Sequence, residues 1–168
     1  MKRPAILPFL TIMVALGVAG CASNQGPRSG DVASWQPATA TLTASESAEA
    51  DRLWQVFERY EGTPYRYGGT SANGFDCSGF IATAFEEALG RQLPRTTSRM
   101  LAAGDVVDRN KLRAGDLVFF RIKGKDQHAG IYMGGDSFIH SSSSLGVTRS
   151  SLNGYYWRGR LSHARRFD

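Results

Sequence analysis

"NGFDCSGFIATAF" (residues 73–85) decides how the rest of the chain is read. Asn73-Gly74 marks a turn. Beyond it Cys77, Ile81, Phe85 and Leu89 recur every fourth residue, with Ala84 and Ala88 beside them, which predicts one apolar face of a helix. Gly90 is a natural stop for that helix. Asp76 is placed to cap its start, which leaves Cys77 in the first turn. There the helix dipole and the unpaired backbone N–H groups favour a thiolate. A small cysteine packed in a core is the plain alternative. The remaining segments have to separate the two.

The chain has 168 residues, room for one ordinary domain and an appendage. Its start has the pattern of an export signal. Lys2 and Arg3 form a basic head, "AILPFLTIMVALGVA" (5–19) is an apolar run, and "VAGC" (18–21) puts small residues before Cys21. Pro8 interrupts the run, which is too short to span a bilayer comfortably. Small residues followed by cysteine resemble the lipobox of bacterial lipoproteins. That resemblance implies cleavage before Cys21 and acylation of Cys21, and several acyl chains hold a protein on a membrane far better than one. Ala22, with no aspartate in its place, implies by the same resemblance the periplasmic face of the outer membrane. An ordinary secretory signal with an incidental cysteine is the alternative.

Lipidation uses Cys21, and of the chain's two cysteines only Cys77 remains. An unpaired thiol in an oxidising compartment is a liability unless it is buried or used. Loss of residues 1–20 removes Lys2 and Arg3 and no acid, so the formal charge falls from +5 to +3. The excess sits in "RGRLSHARR" (158–166) and around Arg121, Lys123 and Lys125, a mildly basic face. No motif points to nucleic acid.

Three segments follow: 1–20 the signal, 21–45 the lipidated cysteine with a tether, and 46–168 the folded domain. The tether, "ASNQGPRSGDVASWQPATATLTAS", is small and polar with few apolar side chains, and Trp35 is its one aromatic residue. Leu53, Phe57 and Tyr60 predict a first helix. "TPYRYGGTSANGFD" (63–76) reads as a loop, and "RTTSRMLAAG" (95–104) holds a short helical turn. Then the period changes. Runs at 115–122, 128–134, 137–142, 146–152 and 160–167 are short and β-rich, with tight turns between them, and predict an antiparallel meander. Helices first and strands afterwards predict an α+β domain with helices packed on one face of a mostly antiparallel sheet.

His128 opens one predicted strand and His140 lies near the end of the next, so a hairpin can make them neighbours. A thiol at a helix N-terminus, a histidine and a polar group orienting it form a nucleophile, base and orienter set. Cys, His and His could also be three zinc ligands, but the close spacings common in such sites are missing. No cofactor is expected. His163 stands on a predicted exposed strand and is read as incidental, and Ser141–Ser144 as a polar loop.

Taken together, "GTPYRYGG" (62–69), "FDCSGF" (75–80), "LPRTT" (93–97), "LRAGDLVFF" (112–120), "HAGIYMGG" (128–135) and "FIHSSSSLGV" (138–147) resemble the NlpC-type cysteine peptidases of the bacterial cell wall. They occur in the family's order, and the spacing is most similar to that of the short Spr-like lipoproteins. Ala129 departs from the family's frequent valine. The resemblance implies a papain-like fold with Cys77 as nucleophile, His128 as general base and His140 as the residue that orients it. It also implies Tyr65 as an oxyanion donor and Asp76 and Ser78 as substrate contacts. Arg95 and Gly79 match positions read as structural. The implied activity is endopeptidase cleavage of peptidoglycan stem peptides at D-alanine–diaminopimelate crosslinks. A γ-D-glutamyl–diaminopimelate bond and a non-catalytic envelope lipoprotein are the alternatives. A monomer is expected, restrained by a protease or an adaptor.

Overall fold

Thr43 starts the folded chain. Its hydroxyl accepts the Glu46 N–H, and its own N–H donates to the Glu46 carboxylate, a reciprocal cap that launches helix α1 (Ala44–Tyr60). The computed structural model describes residues 43–124 and 127–168. The expected signal, Cys21, the expected tether up to residue 42 with Trp35, and Lys125 lie outside the described residues. Helix α1 begins two residues before the expected domain boundary at Glu46, because the cap at Thr43 extends it. It buries Leu53, Val56 and Phe57. The Tyr60 hydroxyl stays at the rim and donates to Glu87 at 2.7 Å.

The segment expected to be loop contains two very short strands, β1 (Thr70–Ser71) and β2 (Gly74–Phe75), which pair around the Asn73 turn. Helix α2 (Cys77–Leu89) follows with Asp76 as its cap, as the sequence predicts. Gly90 closes it at φ 65°, a left-handed conformation that glycine adopts without strain, and donates to the Glu86 carbonyl. Helix α2 buries Phe80, Ile81, Ala84 and Phe85, a face turned slightly from the predicted one, with Cys77 and Leu89 at its edges. A short helix α3 (Thr97–Ala103), a two-residue strand β3 (Asp105–Val106) and a single 3-10 turn (Arg109–Lys111) lead to the main sheet.

That sheet adds β4 (Leu117–Phe120), β5 (His128–Gly134), β6 (Ser137–Ser142), β7 (Gly146–Ser151) and β8 (Leu161–Arg166). Its order is β3-β8-β4-β5-β6-β7, with every pairing antiparallel. The meander reading holds for β4 to β7. Strand β8 departs from it, crossing back to pair with β4 instead of extending the sheet beyond β7. The cause lies in the composition of β4. Leu117 and Phe119 face the helices while Val118 and Phe120 face the opposite side, so both faces need cover. On the second side Leu152, Trp157 and Leu161, carried by the return path, supply it. Leu152 is fully buried and Trp157 and Leu161 partly so, and full burial of a side chain of this size contributes roughly 1.5–3 kcal/mol. The result is an α+β domain with one helix-covered core and a smaller core under the β7–β8 turn.

Candidate active site

Two groups of side chains make up the candidate site, one at the start of α2 and one on β5 and β6, the strands against which α2 packs. The first surrounds the start of α2. Asp76 Oδ1 accepts from the Gly79 N–H at 2.6 Å, the Ser78 hydroxyl at 3.1 Å and Arg95 Nη1 at 3.0 Å. Its Oδ2 accepts from Arg95 Nη2 at 2.8 Å and the Gly68 N–H at 3.0 Å. Arg95 also donates to Ser78 Oγ and to the Gly69 carbonyl. Burial opposes ionisation of Asp76, but the Arg95 guanidinium and the Gly79 N–H outweigh it, and its carboxyl lies below the usual range. Both Asp76 and Ser78 are buried, with their polar atoms engaged inside the protein. The capping reading of Asp76 and the structural reading of Arg95 agree with this geometry.

This network holds Cys77 in the first helical turn. Gly79 shows how tightly: a Cβ there would stand 2.1 Å from the Gly69 carbonyl oxygen. Cys77 is half-buried, and its sulfur lies 3.5 Å from the Thr97 hydroxyl, at the start of α3. Among the described residues no hydrogen bond joins Cys77 to His128, and the Cys77 N–H has no acceptor, as expected for an opening residue of a helix. Tyr65 runs alongside. It bridges Phe75 through the backbone, and the Phe75 N–H donates to the Pro64 carbonyl, so Tyr65 lies next to the strand that leads into Cys77.

The second group lies on the sheet. His128 Nε2 is 2.8 Å from His140 Nδ1, and His140 Nε2 is 3.0 Å from Ser150 Oγ on β7. Burial pushes His128 down to about 4. His140 falls well below its ordinary value through burial and the neighbouring His128. Both imidazoles are therefore neutral at pH 7. One hydroxyl joins the two groups: Ser141, buried and adjacent to His140, donates to the Phe75 carbonyl at 2.8 Å. Ser141 is thus a cross-brace within β6, which corrects its reading as part of a polar loop. His163 sits exposed on β8, paired with Phe119 of β4. Among the described residues no group of three or more His, Cys, Asp and Glu side chains is placed to hold a metal ion.

Thr97, Ser150 and Trp157, whose ring stacks on His128, were not identifiable as site residues from sequence. Ser150 occupies an ordinary alternating strand, and Thr97 reads as a helix-start residue. The one usable signal was the aromatic cluster "YYW" inside a turn.

The model of the NlpC/P60 family matches residues 62–166, a span that contains every side chain of both groups. The chain belongs to the NlpC/P60 family. Its sequence is 36% identical over 172 residues to the murein DD-endopeptidase MepS/murein LD-carboxypeptidase of Escherichia coli K12, covering 95% of this chain and 90% of that one. It is 39% identical over 160 residues to the probable endopeptidase NlpC of the same organism, covering 94% of this chain and 97% of that one. A crystal structure of an NlpC/P60 family protein from Bacillus cereus superposes with a TM-score of 0.64 at 36% identity, over 70% of this chain and 39% of that protein. The papain-like α+β fold implied by the sequence motifs is the fold of this NlpC/P60 chain, and the chain is a hydrolase of that family.

Proposed function

We propose that the protein is a peptidoglycan endopeptidase that opens D-alanine–diaminopimelate crosslinks, with Cys77 as its nucleophile. The observation that carries this reading is the chain of bonds His128–His140–Ser150, braced through Ser141 to the turn that carries Cys77. With both imidazoles neutral, the chain can run in one direction. His128 Nε2–H donates to His140 Nδ1, and His140 Nε2–H donates to Ser150 Oγ. This tautomer leaves a lone pair on His128 Nδ1, the nitrogen that takes the thiol proton.

The thiolate of Cys77 then attacks the D-alanine carbonyl. The Cys77 N–H and the Tyr65 hydroxyl stabilise the oxyanion. His128 returns the proton to the departing amine of diaminopimelate, and the acyl group stays on sulfur as a thioester. Water, deprotonated by His128, releases it. Asp76 and Ser78 act on substrate only at one remove, by fixing the turn, since their polar atoms are already paired.

The lipobox-like "VAGC" supports acylation at Cys21 and residence at the periplasmic face of the outer membrane. Among the described residues no helix is long and apolar enough to cross a membrane. A tether of this length reaches roughly 25–30 Å, enough to hold the domain close to the wall and raise its local concentration there.

The test is digestion of defined crosslinked muropeptide dimers by the detergent-solubilised full chain, beside Cys77→Ser, with products read by mass spectrometry. Dimers converted to monomers with intact stems support the reading. Stems split after D-glutamate would replace the bond, and equal turnover by Cys77→Ser would end the nucleophile assignment. Loss of fatty-acid labelling in Cys21→Ala checks the anchor.

A further inference from the structure

The turn between β7 and β8 carries "GYYWRG" (154–159), and its backbone is held by its own hydrogen bonds together with Arg160 Nη1, which donates to the Tyr156 carbonyl. The Gly154 N–H donates to the Ser151 carbonyl, the N–H groups of Trp157 and Arg158 to Gly154, and that of Arg160 to Trp157. An indole is not required for this geometry. Yet Trp157 lies flat on His128, with ring centroids 5.2 Å apart and planes 29° apart. It meets His140 edge-on at 5.0 Å. Phe120 at 4.6 Å and Phe138 at 5.2 Å wedge it in place.

We propose that Trp157 is a positioning residue of the peptidase: its indole fixes the plane of the His128 ring and keeps water from the His128–His140 hydrogen bond. This rests on the reading of His128 as general base. Rotation of an imidazole about its last side-chain torsion is broad and roughly two-fold. The stacked indole fixes the plane of the ring, and the His140 bond, which only the Nε2 edge makes, then selects the flip that leaves Nδ1 free for the thiol proton. A hydrogen bond shielded from water is also stronger than one in competition with it. The surroundings of His128 explain its neutrality. Strand β4 contributes Phe120, the β7–β8 turn contributes Trp157, and the titratable group that faces it is His140 on β6. Burial, not a charge, depresses its protonation. Once the thiol proton has moved to His128, the indole face can also stabilise the imidazolium, as aromatic faces do for cations.

The experiment uses the full chain and the crosslinked muropeptide dimer, with rates normalised to the fraction of Cys77 that reacts rapidly with iodoacetamide. Trp157→Leu, which keeps apolar bulk but loses the flat face, is expected to lower kcat about tenfold or more. It should also move the acidic limb of the pH–rate profile upward toward the ordinary histidine value. Trp157→Phe should restore the rate to within about threefold and return the limb. A purely structural role would lower the reactive fraction equally at every pH and leave the limb in place. That result, or Leu and Phe variants that match wild type, overturns the proposal. Should Trp157→Leu fold too poorly to assay, the His128 ring-proton titration in Trp157→Phe decides: a midpoint close to wild type supports the proposal, and one near 6.5 overturns it. Cys77→Ala and His128→Ala run alongside. If either retains turnover, the peptidase mechanism fails, an outcome distinct from failure at Trp157 alone.

Discussion

The two halves of the site are built on opposite principles. Around Cys77 the turn is held by charge: one carboxylate receives five hydrogen bonds, two of them from a guanidinium. Around His128 the strands are held by the absence of charge: two neutral imidazoles, a hydroxyl and a wall of aromatic rings. In the proposed mechanism the nucleophile has to reach solvent and substrate, so its scaffold has to tolerate water, and a bidentate ion pair does so. The proposed base has to remain unprotonated at neutral pH, and an apolar setting favours that. The difference teaches that one small domain can hold a thiol with a polar brace and its imidazoles with an apolar one.

The pH dependence of stability separates the halves most strongly. His128 titrates near 6.5 when unfolded and near 4 when folded, so between those values only the unfolded chain takes up the proton. Stability should be complete above pH 6.5 and fall on acidification, by on the order of 3 kcal/mol by pH 4 for this residue. Asp76 behaves differently. Its folded value lies below the unfolded one, so its contribution persists above pH 4 and is lost only at lower pH. Guanidinium melts from pH 7 to 3 should show two windows. A His128→Phe variant should shrink the upper one, leaving the part that the buried His140 contributes, and should not change the lower. An unchanged upper window would contradict a His128 held neutral by its surroundings.

Arg95→Leu attacks the charged half. It strands a buried carboxylate, although Arg95 is itself 40% exposed, so water can partly replace it. A loss of about 2 kcal/mol is expected, with a fall in turnover, and Asp76→Asn in the same background should recover part of the stability. Gly79→Ala sharpens the same half. Alanine is the better helix former by about 1 kcal/mol, but its Cβ would collide with the Gly69 backbone. Overpacking of this kind costs about 1–3 kcal/mol, so the melting temperature should drop. A rise would mean that the Gly68–Gly69 segment yields easily. The smallest effect is expected in the neutral half from Ser150→Ala, about a fivefold loss of kcat with about 1 kcal/mol of stability. Ser150→Thr should restore both.

Much of this was legible in the sequence. Periodicity located α2 and its ends, because Asp76 and Gly90 cap it by local chemistry. The alternation of β5 and β6 placed His128 and His140 on one hairpin. What was hidden depends on contacts distant in sequence. The return of β8 to β4 follows from the two-sided burial of Phe119 and Phe120, which no local pattern announces. Ser150 and Thr97 acquire their partners only once the sheet and helices have packed. The paired strands within 70–75 were lost among turn-forming residues, because two-residue strands have no period to detect.

The Ser141 hydroxyl gives the cleft one adjustable dimension. It works like the screw of a calliper, with one jaw on the strand of the imidazoles and the other on the turn before the thiol, its 2.8 Å bond set beside the backbone bonds that tie Gly62 and Thr63 to Val147. Relatives or engineered forms that take a bulkier or slimmer stem peptide could change aperture at that one atom, leaving the chemistry of both jaws untouched.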